Sequence, residues 1–320
     1  MNSVLGNHSQ ILGLQELHFI GRRWRPGENK LWSSRKAVRE SALLVATARR
    51  SIWDAGPTNS DIAYARKALA RIDAGKIDPA LVYNRILDCL LREAEKTFVI
   101  DQTPRNIFYA EALLERFPSS HVIQMIRDPR AVLLSQKNRW RQRRLGAANI
   151  PIWNAIRVFI NYHPITMSRL WLKAYEAADR VDGHPRFARI RFEEFVSEPR
   201  ASTMRICEWI RLDYEEKMLD VPNIGSSNVP HNPSKFGISI DVTDRWRVGL
   251  SKADTWICQR ILGSVLEEAG YKTVNTGVPV LGIAWRLLVY PIHLVGAVMA
   301  NPLLALHTLR SAANAGKKIR

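Results

Sequence analysis

Arg127 and Ser135 are the two residues of this sequence best placed by type and spacing to hold an anion. Arg127 follows an apolar run, Val122–Ile126, and is itself followed by Asp128 and Pro129. Asp is a favoured N-cap and Pro a favoured first-turn residue, so a helix is expected to start there. The N–H groups and positive dipole end of such a helix attract negative charge. Ser135 stands seven residues past the cap, about two turns at 3.6 residues each, and so returns to the same face. A guanidinium fork and a hydroxyl on one face suit a phosphate. The same residues also fit a capped helix with a surface arginine.

The elements that must position this pair follow from apolar periodicity. Helices are expected over 35–53, from Ser60 to about Gly75, and from Asp78-Pro79 to about Glu95. Thr97–Ile100, His121–Ile126 and Phe187–Phe192 read as β-type runs. Helices follow over Pro104–Phe117, Pro129–Arg144, 151–180 with an interruption at Pro164, Pro199–Arg211 and Ser251–Ala269. This alternation predicts an α/β fold, a parallel sheet covered by helices on both faces. Ligands of such sheets bind at the carboxyl ends of the strands, where Arg127 sits. Residues 221–245, rich in Pro, Asn, Ser and Gly, read as a long functional loop.

Composition narrows the partners. The 320 residues are 46% hydrophobic and 24% charged, enough apolar content for a packed core. A net charge of +17 points to an anionic partner. Cys89, Cys207 and Cys258 form no CxxC pair, no zinc-ligand spacing is visible, and no secretory signal opens the chain, so a reducing compartment is expected.

Three segments, taken in order, go further. They are residues 101–140 (DQTPRNIFYAEALLERFPSSHVIQMIRDPRAVLLSQKNRW), 188–210 (ARIRFEEFVSEPRASTMRICEWI) and 245–271 (RWRVGLSKADTWICQRILGSVLEEAGY). Together they resemble the PAPS-dependent sulfotransferases, in particular the bacterial group related to tyrosylprotein sulfotransferases. PAPS is 3′-phosphoadenosine 5′-phosphosulfate. The resemblance implies a P-loop-like parallel sheet, PAPS as co-substrate without a metal, and a hydroxyl-bearing acceptor: glycan, lipid, peptide or small molecule. It implies that Arg127 and Ser135 hold the donor's 3′-phosphate and that Glu16 is the catalytic base. Lys235, Arg245, Trp246 and Arg247 would by position close over the nucleotide; a solvated basic face is the competing account. Nucleic acid is not expected as a partner. Gln102 stands where the family often has lysine, and Phe192 where it often has tyrosine. The family's strand and Pro-Arg-Ser-Gly-Thr loop, which grip the 5′-phosphosulfate, would precede residue 1; a true start upstream is the expectation. The competing function is a protein of the same fold that binds a nucleotide or acidic partner and transfers nothing. A P-loop kinase is disfavoured, since neither GxxxxGK[ST] nor magnesium ligands are visible.

The sequence divides into a sulfotransferase-like domain over 1–275 and an apolar, basic-ended tail over 276–320. Leu287–Leu309 is long enough to reach across a bilayer but is interrupted at Pro291 and Asn301-Pro302. An in-plane or re-entrant contact with the inner face of the membrane, with the catalytic domain cytoplasmic, reconciles the tail with a cytosolic donor.

Overall fold

A computed structural model of the chain describes residues 1–28, 30–50, 56–70, 72, 75–144, 152–221, 238 and 243–301. Lys235 and most of the 221–245 loop lie outside these residues. The chain divides into two compact units. The first comprises residues 1–126, 174–223 and 233–240; the second comprises 127–173, 224–232 and 241–320. This division runs through the sequence differently from the expected boundary at 275/276.

The first unit contains two parallel strand pairs. β1 (Ile11–Leu14) pairs with β2 (Phe98–Asp101), placing Leu14 opposite Asp101. β3 (Val122–Ile126) pairs with β4 (Phe187–Arg191), placing Ile126 opposite Arg191. Parallel pairs need long crossovers, and here helices supply them. Between β1 and β2 these are α2 (Ser34–Arg49), α3 (Asn59–Leu69) and α4 (Pro79–Glu93); α1 (Asn2–Leu5) precedes β1 and α5 (Ala110–Arg116) lies between β2 and β3. Between β3 and β4 the chain forms α6 (Pro129–Asn138), α7 (Ile152–Ile160) and α8 (Pro164–Asp179). α9 (Phe192–Ser197) and α10 (Pro199–Trp209) follow β4. The rest are α11 (Trp246–Gly249), α12 (Lys252–Leu262), α13 (Val265–Glu268) and α14 (Val280–Ala300).

Strand alternation sends side chains to two apolar clusters. Leu12, Leu14 and Val99 pack with Val45, Val82, Ile86 and Leu90 of α2 and α4. Ile11, Phe98, Ile100, Ile123 and Met125 pack with Val4, Leu5, Phe195, Cys207 and Met218. Both faces of the first pair are therefore covered, as the α/β reading requires. α4 shows how local sequence sets this up. Asp78 accepts from Ala80 N, Pro79 occupies the first turn, and Val82, Ile86 and Leu90 recur every four residues on the buried side.

Several boundaries differ from the sequence reading for local reasons. α3 starts from a capping box at Thr58 and Asp61 rather than at Ser60, since each side chain satisfies the other's backbone N–H. α6 gives way at Arg139–Arg144 to the tighter 3₁₀ form. The helix expected over Ser251–Ala269 breaks at Gly263, whose φ of +56 suits a residue without Cβ. The interruption expected at Pro291 is not found. α14 runs unbroken through it to Ala300, with contacts from neighbouring residues on both sides of the proline.

Candidate functional site

In the first unit, Glu16 lies just past the carboxyl end of β1, the position where parallel sheets receive ligands. The turn that carries it alternates. Leu17 and Phe19 are buried, and Phe19 stacks on Tyr83 with ring centroids 5.0 Å apart. Glu16 and His18, between and before them, remain half-buried. Glu16 Oε2 lies 3.0 Å from His18 Nε2. His18 adopts φ +49, an uncommon left-handed conformation for a residue with a side chain.

The turn holds this shape because Asp101, the last residue of β2, braces it. Asp101 Oδ1 accepts from Leu17 N at 3.3 Å, Thr103 N at 3.0 Å and Thr103 Oγ1 at 2.6 Å. Asp101 Oδ2 accepts from Tyr83 OH and Asn106 Nδ2, each at 3.0 Å. Thr103 Oγ1 in turn accepts from His18 N at 3.1 Å. Burial, and then the Asp101 charge, push the Tyr83 hydroxyl well above its ordinary pKa, so it stays a donor. Gln102 sits exposed between these two bracing residues. The arrangement fixes the backbone beside Glu16 at the carboxyl end of β1.

In the second unit, Arg127 precedes α6, and Ser135 lies on that helix two turns beyond the cap. Both are half-buried. Trp171 Nε1 donates to Arg127 O at 3.1 Å and pins the backbone there. The cap forms as its sequence predicts: Asp128 Oδ1 accepts from Arg130 N at 2.9 Å. The Arg130 side chain also closes on the same carboxylate, Nε to Oδ1 at 2.9 Å and Nη2 to Oδ2 at 2.7 Å. Its Nη1 donates to Gln259 Oε1 and Lys272 O, so α6 is tied to α12 and the segment after α13. Arg130 thus neutralises the capping acid, leaving less negative charge beside the helix N-terminus.

Trp246 opens the short α11 in the second unit. It is buried, with the Arg130 guanidinium 4.0 Å and the Arg247 guanidinium 4.7 Å from its ring. The ring packs on these two protein cations. Arg245, half-buried, caps the short α11, which packs against Leu134 of α6 through Gly249.

Glu16 therefore belongs to the first unit, and Arg127, Ser135, Arg245 and Trp246 to the second. Sequence reading passes over Asp101, Thr103 and Arg130 as positioning residues. One signal for the first two was available: an acid ending a β-type run, followed two residues on by threonine. Among the described residues, no group of three or more His, Cys, Asp and Glu could hold a metal ion.

A family model described as "Sulfotransferase family" matches residues 1–216. The curated Carbohydrate sulfotransferase 1 of Danio rerio is 26% identical over 174 residues, covering 48% of this chain and 39% of the relative. The chain thus spans well under half of that relative's length. Two solved structures are similar at 18% identity and a TM-score of 0.47. They are a sulfotransferase domain from the curacin biosynthetic pathway and one from the Synechococcus PCC 7002 olefin synthase. Each match covers 85% of this chain, with 93% and 89% of the respective domains.

Proposed function

The chain belongs to the sulfotransferase family, and from that premise we propose that it moves a sulfuryl group from PAPS to a hydroxyl acceptor. The observation that carries the reading is the braced turn. Glu16 lies just past the carboxyl end of a parallel strand pair, and the backbone N–H groups of the next two residues, Leu17 and His18, are held by Asp101 and Thr103. In the reaction, the acceptor oxygen bonds to sulfur as the bond from sulfur to the bridging phosphate oxygen breaks. Glu16 takes the proton that the acceptor loses, and the leaving adenosine 3′,5′-bisphosphate carries away the bond electrons. Catalysis of such in-line transfers rests on positioning and charge stabilisation. Arg127 and Ser135 have the chemistry to anchor the donor's 3′-phosphate. Similarity to a Danio carbohydrate sulfotransferase makes a carbohydrate hydroxyl the first acceptor to try.

The test is titration calorimetry with adenosine 3′,5′-bisphosphate, joined to transfer of radiolabelled sulfur from PAPS to a panel of glycans. Binding should be lost in Arg127→Ala and kept in Glu16→Gln. Glu16→Gln should lower kcat by about 100-fold or more, in the range of a lost general base. Full turnover by Glu16→Gln removes the base assignment. Nucleotide binding without transfer to any acceptor, hydroxyl-bearing lipids and peptides included, favours a non-catalytic binding role.

A further inference from the structure

The net charge of +17 is not spread over the chain. Residues 129–175 and 269–320 together hold fifteen of the 47 Lys and Arg and none of the 30 Asp and Glu. The rest of the chain is nearly neutral, 32 basic residues against 30 acidic. Both acid-free stretches contribute to the second unit, and both put large apolar side chains into solvent. α14 leaves Leu281 87%, Leu288 68% and Ile292 72% exposed, with Trp285 at 59%. α7 leaves Trp153 76% and Phe159 59% exposed. An apolar surface of this extent on a soluble domain marks an interaction site.

α14 is apolar and long enough to cross a bilayer, but its other flank is occupied along its whole length. Gly282 abuts Ala253, and Arg286 grips Asp254 through two bonds of 2.7 and 3.0 Å. Tyr290 and His293 pack on His163 with centroids 4.8 and 5.0 Å apart, and His293 also meets Thr166 at 3.2 Å. Gly296 abuts Ile160 of α7, and Asn301 Nδ2 donates to Asn161 Oδ1 at 2.9 Å. These positions recur every three to five residues and form one stripe of the helix. A helix fastened this way along one side lies on its domain and turns the opposite side outward.

We infer that α7 and α14 form a docking face that lies flat in the interfacial region of an anionic lipid bilayer. The partner is identified by combined chemistry. Outward Leu, Ile and Phe side chains suit the acyl boundary, and Trp153 and Trp285 suit the headgroup level. Beside α7, Trp140 meets Phe159 edge-to-face at 5.6 Å and carries the Arg141 guanidinium over its ring. This interleaves cationic and aromatic groups at the patch. Three of the fifteen cations, Arg130, Lys137 and Arg286, pair with Asp128 and Asp254; the excess that the other twelve leave in these acid-free stretches favours an anionic surface over a neutral one. A second copy of the chain would set like charge against like.

The experiment is co-sedimentation of the full chain with phosphatidylcholine vesicles, with and without phosphatidylglycerol, followed by carbonate extraction. Expected are preferential binding to the anionic vesicles, weakening with salt, and release by carbonate. The double variant Trp153→Glu, Leu288→Glu changes only exposed side chains and should bind at least about tenfold more weakly, with an unchanged circular dichroism spectrum and melting temperature. Three results overturn the inference. One is a folded chain that ignores anionic vesicles or binds them equally as the double variant. Another is resistance to carbonate, which indicates a spanning helix. The third is a solution dimer that ignores vesicles and dissociates in the double variant.

Discussion

Replacing Asp101 by alanine tests the brace under Glu16 directly. The substitution removes five accepted hydrogen bonds at once, three on Oδ1 and two on Oδ2. Donors nearer the surface can turn to water, so their loss is small. Tyr83 OH and Thr103 Oγ1 belong to residues 6% and 4% exposed and have little such recourse. Each unsatisfied buried hydroxyl costs roughly 1–3 kcal/mol, giving a total of about 4 kcal/mol for the first unit. Asp101→Asn keeps one carbonyl oxygen, but its amide group meets donors on the other side; about half that loss is expected. Urea unfolding followed by tryptophan fluorescence measures both. Hydrogen exchange adds a local readout, since the Leu17 and His18 amides should exchange faster in either variant. An Asp101→Ala protein within about 1 kcal/mol of the parent, with unchanged exchange at Leu17 and His18, would refute the brace.

The other predictions concern buried charges. Arg130→Met leaves the buried Asp128 without its bidentate partner and should cost about 3–5 kcal/mol in chemical denaturation. Arg286→Met removes both guanidinium bonds to Asp254, which is fully buried, while the Lys137 contact at 3.4 Å remains. A loss of about 3 kcal/mol, seen by calorimetry as a lower Tm of the second unit, is expected. Asp61 is held at a pKa of about 2, chiefly by the Arg50 guanidinium. Its folded pKa lies below the unfolded value, so its contribution is complete above that value. It is lost as pH falls from about 4 to about 2, by at most roughly 2 kcal/mol. Acid titration of stability in Asp61→Asn should lack this component.

What could be read from sequence was mostly local. The caps at Asp78 and Asp128, the β-type runs near Ile100 and Ile126, and the apolar tail follow from nearest neighbours and periodicity. Arg127 and Ser135 stand where cap and period put them, before and along α6. β1 escaped notice because ILGL is four residues with a glycine, made a strand only by pairing with residues 87 positions away. Trp246 meets Arg130, more than a hundred residues earlier, and no local pattern encodes that pairing. The same is true of the Asp101 brace, which joins β2 to a turn 84 residues upstream through Leu17. The break at Gly263 had a visible residue but no distinguishing context, since isolated glycines are tolerated within helices.

The packing of Val4 and Leu5 with Met218 has a consequence for biosynthesis. The helix Asn2–Leu5 cannot complete its apolar cluster until Met218 and Val221, about 200 residues later in the chain, are made. At roughly 5–20 residues per second, that is a wait of some 10–40 seconds. The second unit waits as well, because Asp254 and Arg286 both lie beyond the last segments of the first. The nascent chain therefore carries exposed apolar segments for most of its synthesis. Its yield in the cell should depend more on holdase chaperones and translation rate than the stability of the finished protein suggests.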